Sequence, residues 1–511
     1  MPASPATRFV LIAAALLAGG CTVSPEPLQT AQISERANDV LARVDADQEP
    51  ITGPIDLYQA MARALKYNLD HKVEVMQAAV RMKELDLSHF ELLPKAVANS
   101  GYLERDNYNA SNSVEILPGD RPGAESLRTS TSQEKQNNSA DISFSWNILD
   151  FGLSYVRARQ AADKFLIQEE MRRKVANRVI EDVRTAYWRA VSADRLLEKL
   201  RGLEQRVKKV QAASRAMAID RESSPIAAVS FERELVEIKR TIEEIERDLI
   251  VARTQLSSLM NLRPNTQFTL VQPDRSSPNF KLDYPIDDMI WTALTNRSEL
   301  REVWYNKRIN EQELDAALLE LLPGLQAYAG TNYDSNDFLL NNNWLNWGAK
   351  ASWNVLRVFE YPRKREVIAA QDALLDERSL AVTMAVMTQV HVSRVRFLQL
   401  TKEMKTANEY LDVQKRLLSL LRVEAAADRV SEQNLIREEL NTLVAETRRD
   451  IAYSSLQNAF ANVYASMGLD PLPAEFVETM GVDALTSSLA SLWIERGDDS
   501  GRIRRKTAAA K

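Results

Sequence analysis

Apolar and polar residues alternate along this chain with two different periods, and the two periods predict two kinds of element. Ala140, Ile142, Phe144, Trp146 and Ile148 alternate with Asp141, Ser143, Ser145 and Asn147. Trp347, Ala349, Ala351, Trp353 and Val355 alternate with Gly348, Lys350, Ser352 and Asn354. A period of two places one face of a strand in an apolar medium and the other in a polar one. Elsewhere Leu235, Ile238, Ile242, Ile245, Leu249, Ala252, Leu256 and Leu259 recur at spacings of 3,4,3,4,3,4,3. That is the seam of a coiled coil, and the Glu-, Arg- and Lys-rich positions between read as a solvated face.

The helical regions are long because their breakers are missing. Leu153 to Ser224 contains Gly202 as its one Gly or Pro, and Ile226 to Arg263 and Arg363 to Met467 contain neither. Leu153 to Ala218 alone is 66 residues, about 100 Å at 1.5 Å per residue. Pro225 marks the first helix-to-helix turn, and the second is placed near Ala425 to Asp428.

The chain is a duplication. Ala64-Leu65, Asp70 and Glu91-Leu92-Leu93-Pro94 match Ala293-Leu294, Glu299 and Glu320-Leu321-Leu322-Pro323 at a constant offset of 229. Pro54-Ile55-Asp56 matches Pro285-Ile286-Asp287 just upstream. Ser145-Trp146-Asn147-Ile148-Leu149 matches Ser352-Trp353-Asn354-Val355-Leu356 at offset 207, because the first copy carries 22 more residues between Pro94 and Trp146. Each unit of roughly 200 residues predicts one order of elements. A helix capped by Asp56 or Asp287 ends at Leu93-Pro94 or Leu322-Pro323. Two strands follow, near Ala96 to Tyr102 and from Ala140 in the first copy, and near Leu325 to Tyr333 and from Trp347 in the second. Two long helices complete the unit.

Strands of about nine to eleven residues suit a tilted bilayer crossing. On that reading Ile142, Phe144, Trp146, Trp347, Ala349, Ala351 and Trp353 face lipid, and Trp146, Trp344, Trp347 and Trp353 supply aromatic girdles. A sheet packed on helices in a soluble domain has the same alternation. Four strands cannot close a barrel, which takes about eight, so a spanning sheet requires several chains.

Composition narrows the chemistry. Gly is 15 of 511 residues, far below the usual level of about 7%, which disfavours a turn-dense all-β chain. The net charge of −6 gives no case for nucleic acid. One cysteine excludes an intramolecular disulfide. Three scattered histidines, His71, His89 and His391, fit no HExxH pattern, and no P-loop or GxSxG occurs. An enzyme working with carboxylates alone passes this inventory, but no Gly-rich site loop supports one.

At the N-terminus Arg8 precedes an apolar run from Phe9 to Ala18, followed by Gly19-Gly20-Cys21. This describes a signal peptide, too short to span as a helix. The LLAGGC string resembles a bacterial lipoprotein signal. That resemblance implies cleavage after residue 20, lipidation of Cys21 with palmitate-type acyl chains, and, with Thr22 following rather than Asp, no inner-membrane retention. An ordinary signal peptide with an incidental cysteine is the alternative.

Two strand pairs leading into pairs of helices of about 100 Å, duplicated in one lipidated chain, resemble the TolC family of outer-membrane factors. Leu93-Pro94 and Leu322-Pro323 match its helix-ending Leu-Pro, and Leu149-Asp150-Phe151-Gly152 matches its strand-to-helix string. The second copy departs, with Phe359-Glu360-Tyr361-Pro362 in place of that string. Pro is tolerated in a first helical turn.

The resemblance covers about residues 50 to 470. It implies a mainly α chain whose long antiparallel coiled-coil hairpins accompany four strands. A homotrimer would then share a 12-stranded barrel in the outer membrane and a periplasmic α-barrel. Residues 1–20 are the signal, 54–263 and 285–467 the repeats, and 21–53, 264–284 and 468–511 an equatorial belt. The implied function is a duct passing substrates from an inner-membrane transporter and a periplasmic adaptor across the outer membrane. No enzymatic activity, cofactor or metal is implied. Glu432 and Asp428 are the candidates for a periplasmic gate, and Asp220, Glu222 and Pro225 for adaptor contact. The competing reading is a periplasmic coiled-coil adaptor or scaffold lipoprotein, which should carry one helical hairpin between β domains rather than two hairpins.

Overall fold

In a computed structural model of the chain, the structure describes residues 25–44, 46, 48–125, 128–219, 225–263, 266–271, 282, 284–427, 429–469 and 480–498. An amphipathic helix α1 (Thr30–Arg43) comes first and has no buried residue. The first repeat opens with α2 (Leu57–Tyr67) and α3 (Leu69–Phe90), joined at Asn68. Asp56 caps α2 by accepting from the Gln59 N–H at 2.6 Å, as expected from the sequence. Asn68 caps α3 by accepting from the His71 N–H at 3.1 Å.

Strand β1 (Lys95–Glu104) follows. Four short strands then form two small sheets, β2 (Ala110–Ser111) with β5 (Ser130–Thr131) and β3 (Val114–Leu117) with β4 (Arg121–Glu125). These lie in the segment that the first copy has in excess. The chain returns through β6 (Gln136–Asn147) into α4 (Ile148–Ile219) and α5 (Pro225–Leu259).

The second repeat comprises α6 (Ile286–Asn296), α7 (Ser298–Leu319), β7 (Gly324–Asp334), β8 (Asn343–Ser352), α8 (Arg357–Ala426) and α9 (Glu432–Ser466). Helix α10 (Val482–Asp498) closes the described chain.

Three expectations are corrected. Asp287 does not cap its helix: Pro285 holds the N-cap position and Asp287 sits in the first turn, where a carboxylate still favours the N–H end of the dipole. The helices of each hairpin are unequal, 72 and 35 residues in the first copy and 70 and 35 in the second. Each long helix of about 100 Å is flanked by two shorter ones, α3 and α5 along α4, and α7 and α9 along α8. Pro362 lies inside α8 rather than in its first turn, because the helix already begins at Arg357. There the missing N–H removes the intrahelical bond to the Val358 carbonyl.

The repeated motifs have a physical role at the junctions between helices and strands. In both ELLP copies the residue before Pro closes the helix end, Leu93 N–H on the Phe90 carbonyl at 3.2 Å and Leu322 N–H on the Leu319 carbonyl at 3.0 Å. In both SWNxL copies the Asn side chain accepts from the N–H two residues on, Asn147 from Leu149 at 3.0 Å and Asn354 from Leu356 at 3.2 Å. Such Asx turns end a strand and release the chain into a helix. Trp353 joins the two motifs, its indole N–H donating to the Leu321 carbonyl at 3.0 Å.

Two apolar cores hold the helices. The expected seam of α5 is buried at Leu235, Ile238, Ile242, Leu249, Ala252 and Leu256, with Ile245 and Leu259 partly buried. It packs on Ala193, Leu196, Leu200, Leu203 and Val207 of α4, and the same cluster takes in Ile436, Leu440 and Leu443 of α9. The larger core lies at the waist. There α2, α6 and α10 pack on the middle of α4 and α8 and on the end of α9 through residues such as Met61, Tyr187, Met289, Phe397, Phe460 and Leu489. Gly468 fixes that end. Its φ of +69° and the bonds Gly468 N–H to Ala465 carbonyl and Leu469 N–H to Tyr464 carbonyl form a Schellman cap. A Cβ there would meet Asn296 backbone at 2.7 Å.

Replacing Ile242 with Ala removes a fully buried seam side chain and is expected to cost about 2–5 kcal/mol, measured by thermal unfolding in detergent. At the waist, Glu49 accepts from Lys66 Nζ at 2.7 Å and from the Val482 N–H at 3.2 Å. The Lys66 hydrogen bond, more than any other contact, holds its carboxyl below the ordinary value of 4.5. Its contribution is therefore present above that value and is lost as pH falls through the lowered folded pKa. Melting curves should show wild type losing its advantage over Glu49→Gln in that acid range and keeping it at neutral pH.

Candidate functional site

Strands β1, β6, β7 and β8 form one antiparallel sheet in that order. Its register sorts the side chains by face. Ala98, Ile142, Thr331 and Leu345 lie in one cross-strand row, and Ala96, Phe144, Ala329 and Trp347 in the next. Trp146, Ala327 and Ala349 form a third row, and Ala351 pairs with Leu325 on the same face. The opposite face carries Asn99, Asp141, Asn332, Asn346, Ser143, Ser145 and Lys350, with Asn99 Nδ2 donating to Asp141 at 3.0 Å.

Six of the seven residues expected on the apolar face share it. Trp353 lies one residue past the end of β8, and Ile148 and Val355, read as strand positions, also lie beyond the strands. Trp344 pairs with Asn332 and so lies on the polar face, which removes it from an aromatic girdle on the apolar side. On the polar face the Tyr328 ring sits over Gly348, where a Cβ would meet the phenol oxygen at 2.6 Å.

The sheet is left incomplete in two respects. Its apolar face is not covered: Phe144 and Trp347 are 56% and 85% exposed. Its two outer strands, β1 and β8, have no further partner strand among the described residues.

The helices repeat this situation. On the sheet side of the waist they lie side by side in the order α3, α4, α7, α8, and on the far side in the order α5, α4, α9, α8. Both outer flanks carry uncovered apolar stripes. On α3 the positions Leu69, Val73, Met76, Val80, Leu87 and Phe90 follow a heptad that only Lys83 interrupts, and all six are exposed. On α8 the exposed stripe runs Val367, Ala370, Leu374, Ala381, Met384, Val395 and Leu398, then resumes as Tyr410, Val413, Leu417 and Leu420. On α5 it is Val229, Val236 and Ile250, seven and fourteen residues apart. Sequence reading found the buried seam of α5 but missed these outer stripes, although the same heptad count would have exposed them.

The contact between the two repeats is charged as well as apolar. Arg195 pairs with Asp450, whose side chain is 0% exposed, and Lys199 pairs with Glu446 at 2.8 Å. Glu439 takes Arg206 from α4 and Arg422 from α8, the latter at 3.1 Å. An open cleft of about 620 Å3 lies among these groups.

At the far tip, Glu432 is the first residue of α9 and is exposed. Ser431 caps that helix, accepting from the Asn434 N–H at 3.3 Å. Pro225 is the first residue of α5. Asp220, Glu222, Asp428 and Cys21 lie outside the described residues. Among the described residues no group of His, Cys, Asp and Glu is placed to hold a metal ion, and no helix is long and apolar enough to cross a membrane.

Arg introduced at Ala349 should cost about 2–4 kcal/mol if that face meets the bilayer midplane, whereas Arg at Ser352 on the opposite face should be tolerated. The yield of folded protein in outer-membrane fractions compares them, and equal tolerance contradicts a lipid-facing row.

No family model and no curated protein matches the sequence. Solved structures do. The chain is similar to the CmeC outer membrane channel of Campylobacter jejuni, at 12% identity and a TM-score of 0.62 over 93% of this chain and 98% of that one. It is similar to the MtrE outer membrane channel of Neisseria gonorrhoeae in its open state, at 15% identity and a TM-score of 0.60 over 83% and 91%. CusC, studied for the conformational changes that accompany folding and transmembrane channel formation, matches at 14% identity and a TM-score of 0.60 over 83% and 95%. With its duplicated strands and helices, the chain has the fold of the TolC-type outer-membrane channels.

Proposed function

We propose that this protein is the outer-membrane duct of a tripartite efflux or type I secretion system, working as a homotrimer. One observation carries the reading: the contact between the two repeats is the contact that the outer flanks lack. Within the chain β6 of the first copy pairs with β7 of the second, and α4 packs on α7 and α9. By the duplication β8 is the counterpart of β6, and α8 of α4. A second chain would then bring its β1 to β8 and its α3 and α5 to α8. Those are the surfaces that end in an unpaired strand edge and in exposed heptad stripes.

Three chains give twelve strands, enough to close a barrel around a polar lumen, where four are too few. Closure also satisfies the edge N–H and C=O groups, which hydrocarbon cannot. The wall helices, of which α4 and α8 are about 100 Å long, continue the lumen across the periplasm. A lipid on Cys21 anchors each chain to the same membrane. The far tips, with Asp220, Glu222 and Pro225, face a periplasmic adaptor and an inner-membrane transporter, which supplies the energy. Glu432, with Asp428 as the alternative, is the candidate for a ring of three carboxylates at the narrow end of the tunnel, which would raise the local cation concentration.

Reconstituted into a planar lipid bilayer, the full protein should give discrete conductance steps of uniform size that prefer cations. Glu432→Lys should reduce that preference without abolishing the steps. Absence of steps above the lipid baseline contradicts the duct.

A further inference from the structure

A cavity of about 290 Å3 lies between the wall helices and the belt, lined by Asp56 and Tyr58 at the start of α2, Arg184 and Trp188 of α4, Tyr453 of α9 and Trp493 of α10. Arg184 is 3% exposed. Its Nη2 donates to the Gln457 carbonyl and to Gln457 Oε1, both at 3.3 Å, and its Nε is buried with no acceptor. Its guanidinium stacks on the Trp493 ring at 4.4 Å, and Arg496 stacks on the same ring at 4.7 Å. The buried Trp493 indole N–H likewise has no acceptor.

Among the described residues no carboxylate pairs with Arg184. Asp56 shares the cavity, but its Oδ1 accepts from the Gln59 N–H at the α2 cap. Burial, with Arg496 adding to it, pulls the Arg184 pKa down to about 10, so the group remains a cation at neutral pH. A buried cation without an anion is among the costlier arrangements a fold can hold.

We propose that this cavity is a binding site for a small carboxylate-bearing ligand. Its carboxylate lies on the free edge of the Arg184 fork and its apolar body among the rings of Tyr58, Trp188 and Trp493. A guanidinium fork matches a carboxylate in shape. The aromatic walls favour an organic anion over a bare ion such as phosphate.

The test uses the full, detergent-solubilised protein and the fluorescence of the cavity tryptophans. Benzoate, benzamide and inorganic phosphate are titrated at one ionic strength held with chloride. Benzoate should give a saturable change, and benzamide and phosphate should bind at least about ten-fold more weakly. Arg184→Met should abolish the benzoate response, and Arg184→Lys, which keeps the charge but not the fork, should weaken it. A linear unsaturable change, an equal response to benzamide, equal or tighter binding of phosphate, or an unchanged curve in Arg184→Met overturns the proposal. Should Arg184→Met fail to fold by circular dichroism, Arg184→Lys, which keeps the charge and loses the planar fork, takes its place. It should weaken benzoate binding, and an unchanged affinity there overturns the site.

Discussion

The contact between the two repeats is the interaction on which the rest of this structure depends. It joins β6 to β7 in the sheet and α4 to α7 and α9 in the wall, so one geometry serves two very different layers. Because the chain is a duplication, each outer flank carries one half of the same contact. A strand edge in hydrocarbon has no water to bond its backbone groups. A heptad stripe in water loses roughly 25 cal/mol for each Å2 of apolar surface left uncovered. In the proposed homotrimer both costs are removed by the same operation, the addition of another copy.

Apolar and charged contacts divide the work within the wall. The seam through Leu235, Ile242, Leu196 and Leu440 is apolar and buried and supplies the adhesion of α5 and α9 to α4. The ion pairs beside it are mostly half-exposed, and such pairs are worth about 0–1 kcal/mol each. Asp450 is the exception, being wholly buried between Arg195 and Arg449. Arg195 is itself 34% exposed and Asp450 keeps Arg449, so losing Arg195 would cost less than the roughly 3–5 kcal/mol of a fully buried pair. Asp450 thus ties α9 to α4, while Glu439, shared by Arg206 and Arg422, ties α4 to α8 near the tip.

What was legible in the sequence was whatever repeats with a period. The α5 seam, the alternating rows of β6 and β8, the ELLP and SWNxL pairs and the breaker-free helices all have a spacing that a one-dimensional reading can count. Element ends were harder. Pro285 rather than Asp287 took the N-cap, with no side-chain capping bond, Arg357 rather than a later residue began α8, and Trp353 fell one place outside β8, where its indole N–H bonds the Leu321 carbonyl. The Arg184 cavity left no trace in the sequence. Its walls come from α2, α4, α9 and α10, far apart in the chain, and only the waist brings them together. The tip residues Asp220, Glu222 and Asp428 were reached through family resemblance alone.

The most direct test of the central claim is the native mass of the processed protein, extracted in detergent from outer-membrane fractions and measured by native mass spectrometry. The account predicts a single species of three chains, each with its lipid, and with no free chain at equilibrium. A monodisperse single chain that keeps its sheet by circular dichroism would contradict it, since four strands cannot close a barrel alone.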